Sequence, residues 1–317
     1  MNPVPELSVV MSVYNNEASL PAALESILSQ EDVVLEFIVI DDGSTDGSGK
    51  ILEEAAARDS RLKVVHQQNE GLTCALIKGC ALASAPWIAR QDADDVSFSG
   101  RLRAQLDRAQ EADGPVLVGC GARVVAPENE VLSELISPVD PAAAKRRILE
   151  EGQAISPHGS ILFQRNAYQH VGGYRIPFYY AQDIDLTTRL AECEPVAAVQ
   201  PIYYEYRISP SAISGMYGAF QQAFYQLIRE GHLRRLNGES EDGLLKMAEA
   251  LREECLRARR RRPDSFETWY YIGACLMPSN PEAASRYFSK ALACRPWSLK
   301  AQIRRMQSEI RKRGRTA

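Results

Sequence analysis

Asp92-Ala93-Asp94-Asp95 places three carboxylates within four residues, just after the apolar Trp87-Ile88-Ala89. Charges of one sign that close repel one another unless a cation or strong donors compensate them. Hard divalent cations take oxygen ligands, and a magnesium- or manganese-like ion also accepts oxygens from a substrate phosphate. The chemistry such a cluster could do is to hold a metal-bridged diphosphate. The other reading is a solvated acidic turn, and the surrounding chain must choose between them.

The elements that would position these carboxylates follow from apolar periodicity. Leu7–Val13, Leu35–Ile40, Leu62–Val65 and Trp87–Ala89 read as short buried strands. Helical patterns separate them at Ser19–Gln30, Lys50–Arg58 and Gly71–Ala83. Strands alternating with helices predict an α/β fold built on a parallel sheet with helices on both faces. Ligands of such sheets bind beyond the carboxyl ends of the strands, and Asn15, Asp42 and Asp92 all follow predicted strands. Further on, Pro115–Gly121, Arg123–Val125, Ser160–Phe163, Val196–Val199 and Ile202–Tyr206 read as strands, and Pro141–Glu151, Arg165–His170 and Asp183–Ala191 as helices. From Gly218 the pattern is helical almost to the end. Phe266–Leu276 and Pro281–Pro296 resemble one tetratricopeptide-type pair; one copy is too few for a free-standing array, so it is expected to pack on the body.

The chain of 317 residues suits one large domain with an appendage, divided here into 1–215 and 216–317. No apolar run approaches the roughly 20 residues that span a bilayer, and the first residues lack the basic region and apolar core of a signal peptide; a cytoplasmic location is expected. Seven cysteines without a Cys-x-x-Cys argue against a disulfide framework or a zinc site. Charge is unevenly placed. Residues 251–317 carry 16 Lys+Arg against 6 Asp+Glu, and the other 250 carry 21 against 35. A basic tail on an acidic body suits either a solvated helical face or contact with an anionic membrane surface.

With these residues placed, the sequence resembles glycosyltransferase family 2, the inverting enzymes of the GT-A fold. The resemblance rests on Ser8–Asn15, on Ile38-Val39-Ile40-Asp41-Asp42-Gly43-Ser44-Thr45-Asp46, on Asn69-Glu70-Gly71-Leu72, on Ile88–Asp95 with Arg101-Leu102, and on Tyr180–Leu190. It covers about residues 7–210, and the second and fourth segments are specific. It implies a Rossmann-like nucleotide-binding sheet with a mixed second part, ahead of an all-α C-terminal region. It implies transfer of a sugar from a nucleotide-diphosphate sugar, UDP-linked by preference, to a glycan, lipid-linked or protein hydroxyl, with Mn2+ or Mg2+ as cofactor and no nucleic acid partner.

The resemblance also assigns roles. Asp42 would accept a hydrogen bond from a base-edge imide N–H, with Asp41 nearby, and Ser12, Tyr14, Asn15, Glu17, Asn69 and Gly71 would line the nucleotide pocket. Arg90 and Arg207 would serve the donor. Asp92, Asp94 and Asp95 would supply the metal site, Asp94 foremost, and Asp95 would either coordinate or orient Arg101. Asp183 would be the base that takes the acceptor proton, with His158 and Gln182 on the acceptor side. Capping of the following helices remains open for Asp41, Asp42 and Asp183, and Asp185 and Arg189 read as structural. The usual Glu before the base is Gln182 here, the polar residue expected in the third helix is Ile77, and the Pro expected after the acidic cluster is replaced around Ser99-Gly100. Without Gln-x-x-Arg-Trp the transfer is expected to be non-processive. The competing readings are a nucleotidyltransferase, disfavoured because Tyr14-Asn15-Asn16-Glu17 offers neither a Gly-rich loop nor a basic residue, and a non-catalytic adaptor docking through the helical tail.

Overall fold

A computed structural model describes residues 4–209, 218–258 and 265–315. Nine strands form one sheet in the order β3-β2-β1-β4-β8-β6-β9-β5, with β7 on β6. β1 (Leu7–Val13), β2 (Leu35–Asp41), β3 (Leu62–His66) and β4 (Trp87–Asp92) are parallel. β1, β2 and β4 are apolar because they are buried on both faces, whereas the edge strand β3 is only partly covered. Val9, Met11, Phe37 and Val39 pack under α1 (Leu20–Leu28), α2 (Ser48–Arg58) and α4 (Arg101–Ala109). The alternate residues Val10, Ile38 and Ile40 pack under α3 (Leu72–Leu82), α5 (Pro141–Leu149) and α7 (Gln182–Cys193), as the two-residue period of a strand dictates.

The second half is mixed. β8 (Leu162–Gln164) runs antiparallel to β4 and to β6 (Leu117–Val125), and it is followed at once by α6 (Arg165–His170). The two strands expected over 115–125 are one strand, β6. The two expected over 196–206 are likewise one, β9 (Val196–Arg207), whose register on β6 jumps from Val199 to Ile202. The jump leaves out Gln200 and Pro201, and proline has no N–H to give a ladder. β5 (Val96–Ser97) and β7 (Val131–Leu135) had no sequence signal: one is two residues long, the other largely exposed.

The described residues beyond 218 are helical: α8 (Gly218–Leu236), α9 (Asp242–Ala258), α10 (Phe266–Leu276), α11 (Pro281–Cys294) and α12 (Leu299–Arg315). Phe224 and Ile228 of α8 pack with Phe178, Tyr180 and Ile184 around the start of α7. The tetratricopeptide-like pair α10–α11 sits on the β6–β7 hairpin through Ala126 and Leu132. Tyr287 donates to Glu130 at 2.9 Å, and Arg286 and Lys290 pair with Glu130 and Glu128. The boundary expected near 215 lies outside the described residues. No helix among them is long and apolar enough to cross a membrane, and all seven cysteines are free.

Glu36 ties the sheet together from inside. Its Oε1 accepts from Ser8 Oγ, Ser84 N and Ser84 Oγ, each at 2.7 Å, and its Oε2 pairs with Lys63 at 2.6 Å. Burial alone would raise its pKa, but Lys63 and the two serines together hold it down to about 2. A carboxyl depressed in the fold stabilises above its unfolded pKa, and that stability is lost as pH falls through the folded value. Glu36→Gln is therefore expected to cost about 2 kcal/mol at neutral pH. The deficit should shrink between the ordinary glutamate range and pH 2, read by urea denaturation across pH.

Candidate active site

β4 ends on Asp92, which lies opposite Ser12 of β1 in the ladder. Arg90, two residues earlier, points to the same face. Its Nη2 reaches Asp92 Oδ1 at 2.5 Å, and its Nη1 donates to Val10 O at 2.7 Å. Arg90 is fully buried, whereas the Asp92 side chain is 28% exposed, so Asp92 is a carboxylate fixed from behind and open in front. Behind it, Arg101, also fully buried, donates to Arg90 O at 2.8 Å and Gly159 O at 3.1 Å. Gly159 lies in the 3-10 turn His158–Ser160. A Cβ there would come within 2.1 Å of the Tyr204 hydroxyl and 2.7 Å of Asp92 Oδ2, so only glycine allows this approach.

Asp94 and Asp95 continue the turn. Burial, and then the charge of Asp92, push Asp94 up to about 6. Burial, and then Asp94 and Asp92, raise Asp95 well above the carboxylate range. Asp95 Oδ1 accepts the Arg207 N–H at 2.7 Å, while Oδ2 is buried with no hydrogen bond of ordinary geometry. Arg90 pairs with Asp92, while Asp94 and Asp95 are buried beside it with few donors of their own, and ionising all three together is what a divalent cation would favour. Among the described residues, no three His, Cys, Asp or Glu side chains form a closed cage. The oxygens fit a cation whose remaining ligands come from a bound phosphate.

Asp183 stands in the first turn of α7. Burial raises its pKa; the first-turn N–H groups of Ile184 and Asp183 oppose that, Asp92 adds to it and Arg90 offsets it. The capping alternative therefore holds in part, but the carboxylate also lies within the field of Asp92. Gln182 beside it is buried, with Oε1 lacking a hydrogen-bond partner. His158 shares a small pocket with Asp183, Ser156 and Thr187. Its Nε2 lies 2.7 Å from the Tyr174 hydroxyl, and burial, followed by Arg90, keeps the ring neutral by pushing its pKa well below the usual histidine value. Tyr225 of α8 belongs to this neighbourhood too: burial and then Asp183 raise it to about 12. A larger cavity of about 340 Å³ opens next to it, lined among others by Ile184, Thr188, Tyr225, Gln226 and Arg229.

The third part lies at the ends of β1 and β2. Asp42 is buried and accepts from Gln67 Nε2 at 2.7 Å, Glu70 N at 2.9 Å and Gly71 N at 2.9 Å. Gly71 has φ +90, which aims its N–H at Asp42 and suits glycine, and Asn69 Nδ2 donates to Asp42 O at 2.9 Å. Asp41 accepts from Ser44 N at 3.0 Å and contacts His66 Nδ1 at 2.8 Å, which braces the turn after β2 rather than capping α2, whose N-cap is Gly47. Asn15 and Glu17 clasp the β2–α2 loop: Asn15 Oδ1 accepts from Thr45 N at 2.8 Å, and Glu17 Oε2 from Gly47 N at 2.8 Å. Tyr14, just after β1, is 43% exposed.

Three expectations are corrected. Arg207 is engaged within the fold rather than free for a donor: its guanidinium is held by Asn129 Oδ1 at 2.7 Å, Glu205 at 3.1 Å and the carbonyls of Ala126 and Pro127, although Asp94 feels its charge. Arg90, with no exposed surface, acts on Asp92 rather than reaching a ligand. Asp95 does not orient Arg101, which is held by backbone carbonyls; it anchors the end of β9 instead. Gly159, Tyr174, Tyr204 and Tyr225 were missed, since nothing in their spacing ties them to Asp92 or Asp183.

Comparison with known proteins gives a consistent result. The family described as "Glycosyl transferase family 2" matches residues 8–172. The chain is 36% identical over 196 residues to EpsE of Bacillus subtilis (strain 168), which is named as a glycosyltransferase, covering 61% of this chain and 69% of EpsE. It is 35% identical over 114 residues to the glycosyltransferase GlyG of Streptococcus pneumoniae serotype 4, covering 36% of this chain and 38% of GlyG. Two solved structures share the fold. S. aureus TarS 1-349 in complex with UDP has a TM-score of 0.59 at 16% identity, covering 98% and 92% of the two chains. The mannosyltransferase PcManGT from Pyrobaculum calidifontis, in complex with GDP-Man and Mn2+, has a TM-score of 0.53 at 18% identity, covering 94% and 78%.

Proposed function

Because the chain belongs to glycosyl transferase family 2, we propose that it transfers a sugar, with inversion, from a UDP-sugar to an acceptor hydroxyl, and that Asp183 is its base. The nucleotidyltransferase and adaptor readings give way to the family assignment. The observation that carries the proposal is the His158–Ser160 turn, which sets Gly159 against the Asp92 carboxylate at the end of β4 and His158 in one pocket with Asp183 of α7.

In this reading Ser12 and the Asp42 loop receive the nucleotide base, Tyr14 lies at the mouth, and Asn15, Glu17 and Asp41 hold the loops in place. Asp92 and Asp94 would hold a divalent ion, manganese or magnesium, whose chemistry is to neutralise charge gathering on the departing diphosphate. Asp183 takes the proton of the acceptor hydroxyl as its oxygen bonds to the anomeric carbon. The bond from that carbon to the diphosphate oxygen breaks with its electron pair passing to the UDP. Neutral His158 lines the acceptor side and adds no competing charge. The acceptor, whether a glycan, a lipid-linked sugar or a protein hydroxyl, would extend into the cavity beside Tyr225, lined on one side by residues 148–152 of the matched region and on the other by residues beyond it. Single rather than processive addition and a cytoplasmic location belong to the same reading.

The test is donor hydrolysis with UDP-sugars and manganese. Wild-type protein should release UDP, and Asp94→Ala should lose that release by about a hundredfold or more. Manganese should raise the melting temperature of the wild type and leave Asp94→Ala unmoved, since a cation that binds only the folded state stabilises it. No turnover of any UDP-sugar, together with no thermal shift, would sink the metal-dependent reading.

A further inference from the structure

Among the described residues, the outer face of the last helix is unlike an ordinary solvated surface. α12 packs on α11 through Ala301 and Ser308, both fully buried. A helix turns about 100° per residue, so Leu299, Ile303, Met306 and Ile310 project opposite to that packed face. They are 72%, 50%, 59% and 63% exposed, and Trp297 just before the helix is 91% exposed. Single exposed apolar residues need no explanation, but a continuous stripe marks an interaction face. Cations lie behind the stripe, Arg304 and Arg311 exposed on one side of the helix and Arg305 on the other, with Arg311 also donating to Met277 O, and the helix sequence carries seven Lys or Arg against one Glu.

A second copy of this chain is a poor occupant. A two-fold pairing of this face would set its cations against themselves. An anionic bilayer suits it better. It accepts an apolar stripe at the headgroup boundary while cationic side chains reach its phosphates, and it favours an indole at that depth. The rest of the molecule agrees in sign. The first 250 residues hold 35 acids against 21 bases and the last 67 hold 6 against 16, so a negative surface would attract the tail and repel the body.

We propose that α12, with Trp297, is a docking face for anionic lipid bilayers, lying flat with Leu299, Ile303, Met306 and Ile310 toward the acyl chains and Arg304 and Arg305 reaching round to the headgroups. The proposal does not depend on sugar transfer. The test is co-sedimentation of the full chain with vesicles of phosphatidylcholine alone or mixed with phosphatidylglycerol. Binding to the mixed vesicles should exceed binding to the neutral ones by about tenfold or more and weaken as salt rises. The double variant Ile303→Glu/Ile310→Glu, altered only at exposed positions, should fall to the neutral-vesicle level with its unfolding curve and donor hydrolysis unchanged. Equal binding to both vesicle types, or binding to neither, overturns the proposal. So does a wild-type dimer that the double variant converts to monomer without any change in vesicle binding, because the stripe would then belong to a second copy.

Discussion

Asp183→Asn is expected to slow sugar transfer about a thousandfold, within the range general-base catalysis contributes, with donor affinity nearly unchanged. The substitution keeps the shape of the side chain at the start of α7 and removes only the capacity to take a proton. Donor binding should survive because the nucleotide pocket proposed at Asp42 and the carboxylates of the β4 turn lie on other elements. The acidic limb of the wild-type rate profile should fall above the ordinary carboxylate range. Burial and the neighbouring Asp92 raise the Asp183 pKa, so the base becomes competent only as pH climbs through that raised value. Single-turnover rates at saturating donor, with donor affinity measured separately by calorimetry, check both parts. A variant that keeps more than a tenth of the wild-type rate would show that the proton goes elsewhere.

Asp185→Asn, one residue pair further along the same helix, is expected to act on stability instead. Asp185 has no exposed surface. Its carboxylate pairs with Arg189 at 2.6 Å and with Arg175, whose Nε lies 3.0 Å away. Arg189 in turn donates to Val171 O at 2.6 Å and Gly173 O at 2.7 Å, and Arg175 reaches Glu241 at 2.6 Å, just ahead of α9. Removing the charge at the centre leaves two guanidiniums short of their shared carboxylate in the interior. Breaking a buried pair from one side costs about 3–5 kcal/mol, partly softened here because Arg175 keeps Glu241. Urea denaturation should show a lowered midpoint with an unchanged slope, and the surviving folded fraction should hydrolyse donor at the normal rate. Loss of activity without loss of stability would reverse the roles given to the two acids.

The two acids illustrate how far the sequence could be read. Both sit in the first turn of α7, where an acid of either kind complements the helix dipole. The resemblance separated them by motif position, and the tertiary structure separates them by what each one meets: Asp185 a pair of arginines, Asp183 a small pocket and the field of Asp92. The same holds for the arginines. Arg90, Arg101 and Arg207 all lie near the acidic turn in sequence or register. Burial turns Arg90 and Arg101 into supports, and Asn129 and Glu205 hold Arg207 in the same role.

By itself the sequence determined the parallel half of the sheet. Apolar runs of strand length, buried on both faces, alternate with helices whose stripes match them, and this information is local. It also placed Asn15, Asp42 and Asp92 at one edge of that sheet, because all three follow parallel strands, with β1 lying between β2 and β4. What only the tertiary structure decided is the far side of the site. Gly159 between Tyr204 and Asp92, neutral His158 on Tyr174, and Tyr225 brought over by α8 are pairings set by packing across long stretches of chain, and no periodicity encodes them. The outward stripe of α12 belongs to both accounts. Its apolar spacing is visible in the sequence, but only the docking of Ala301 and Ser308 against α11 shows which face is left open.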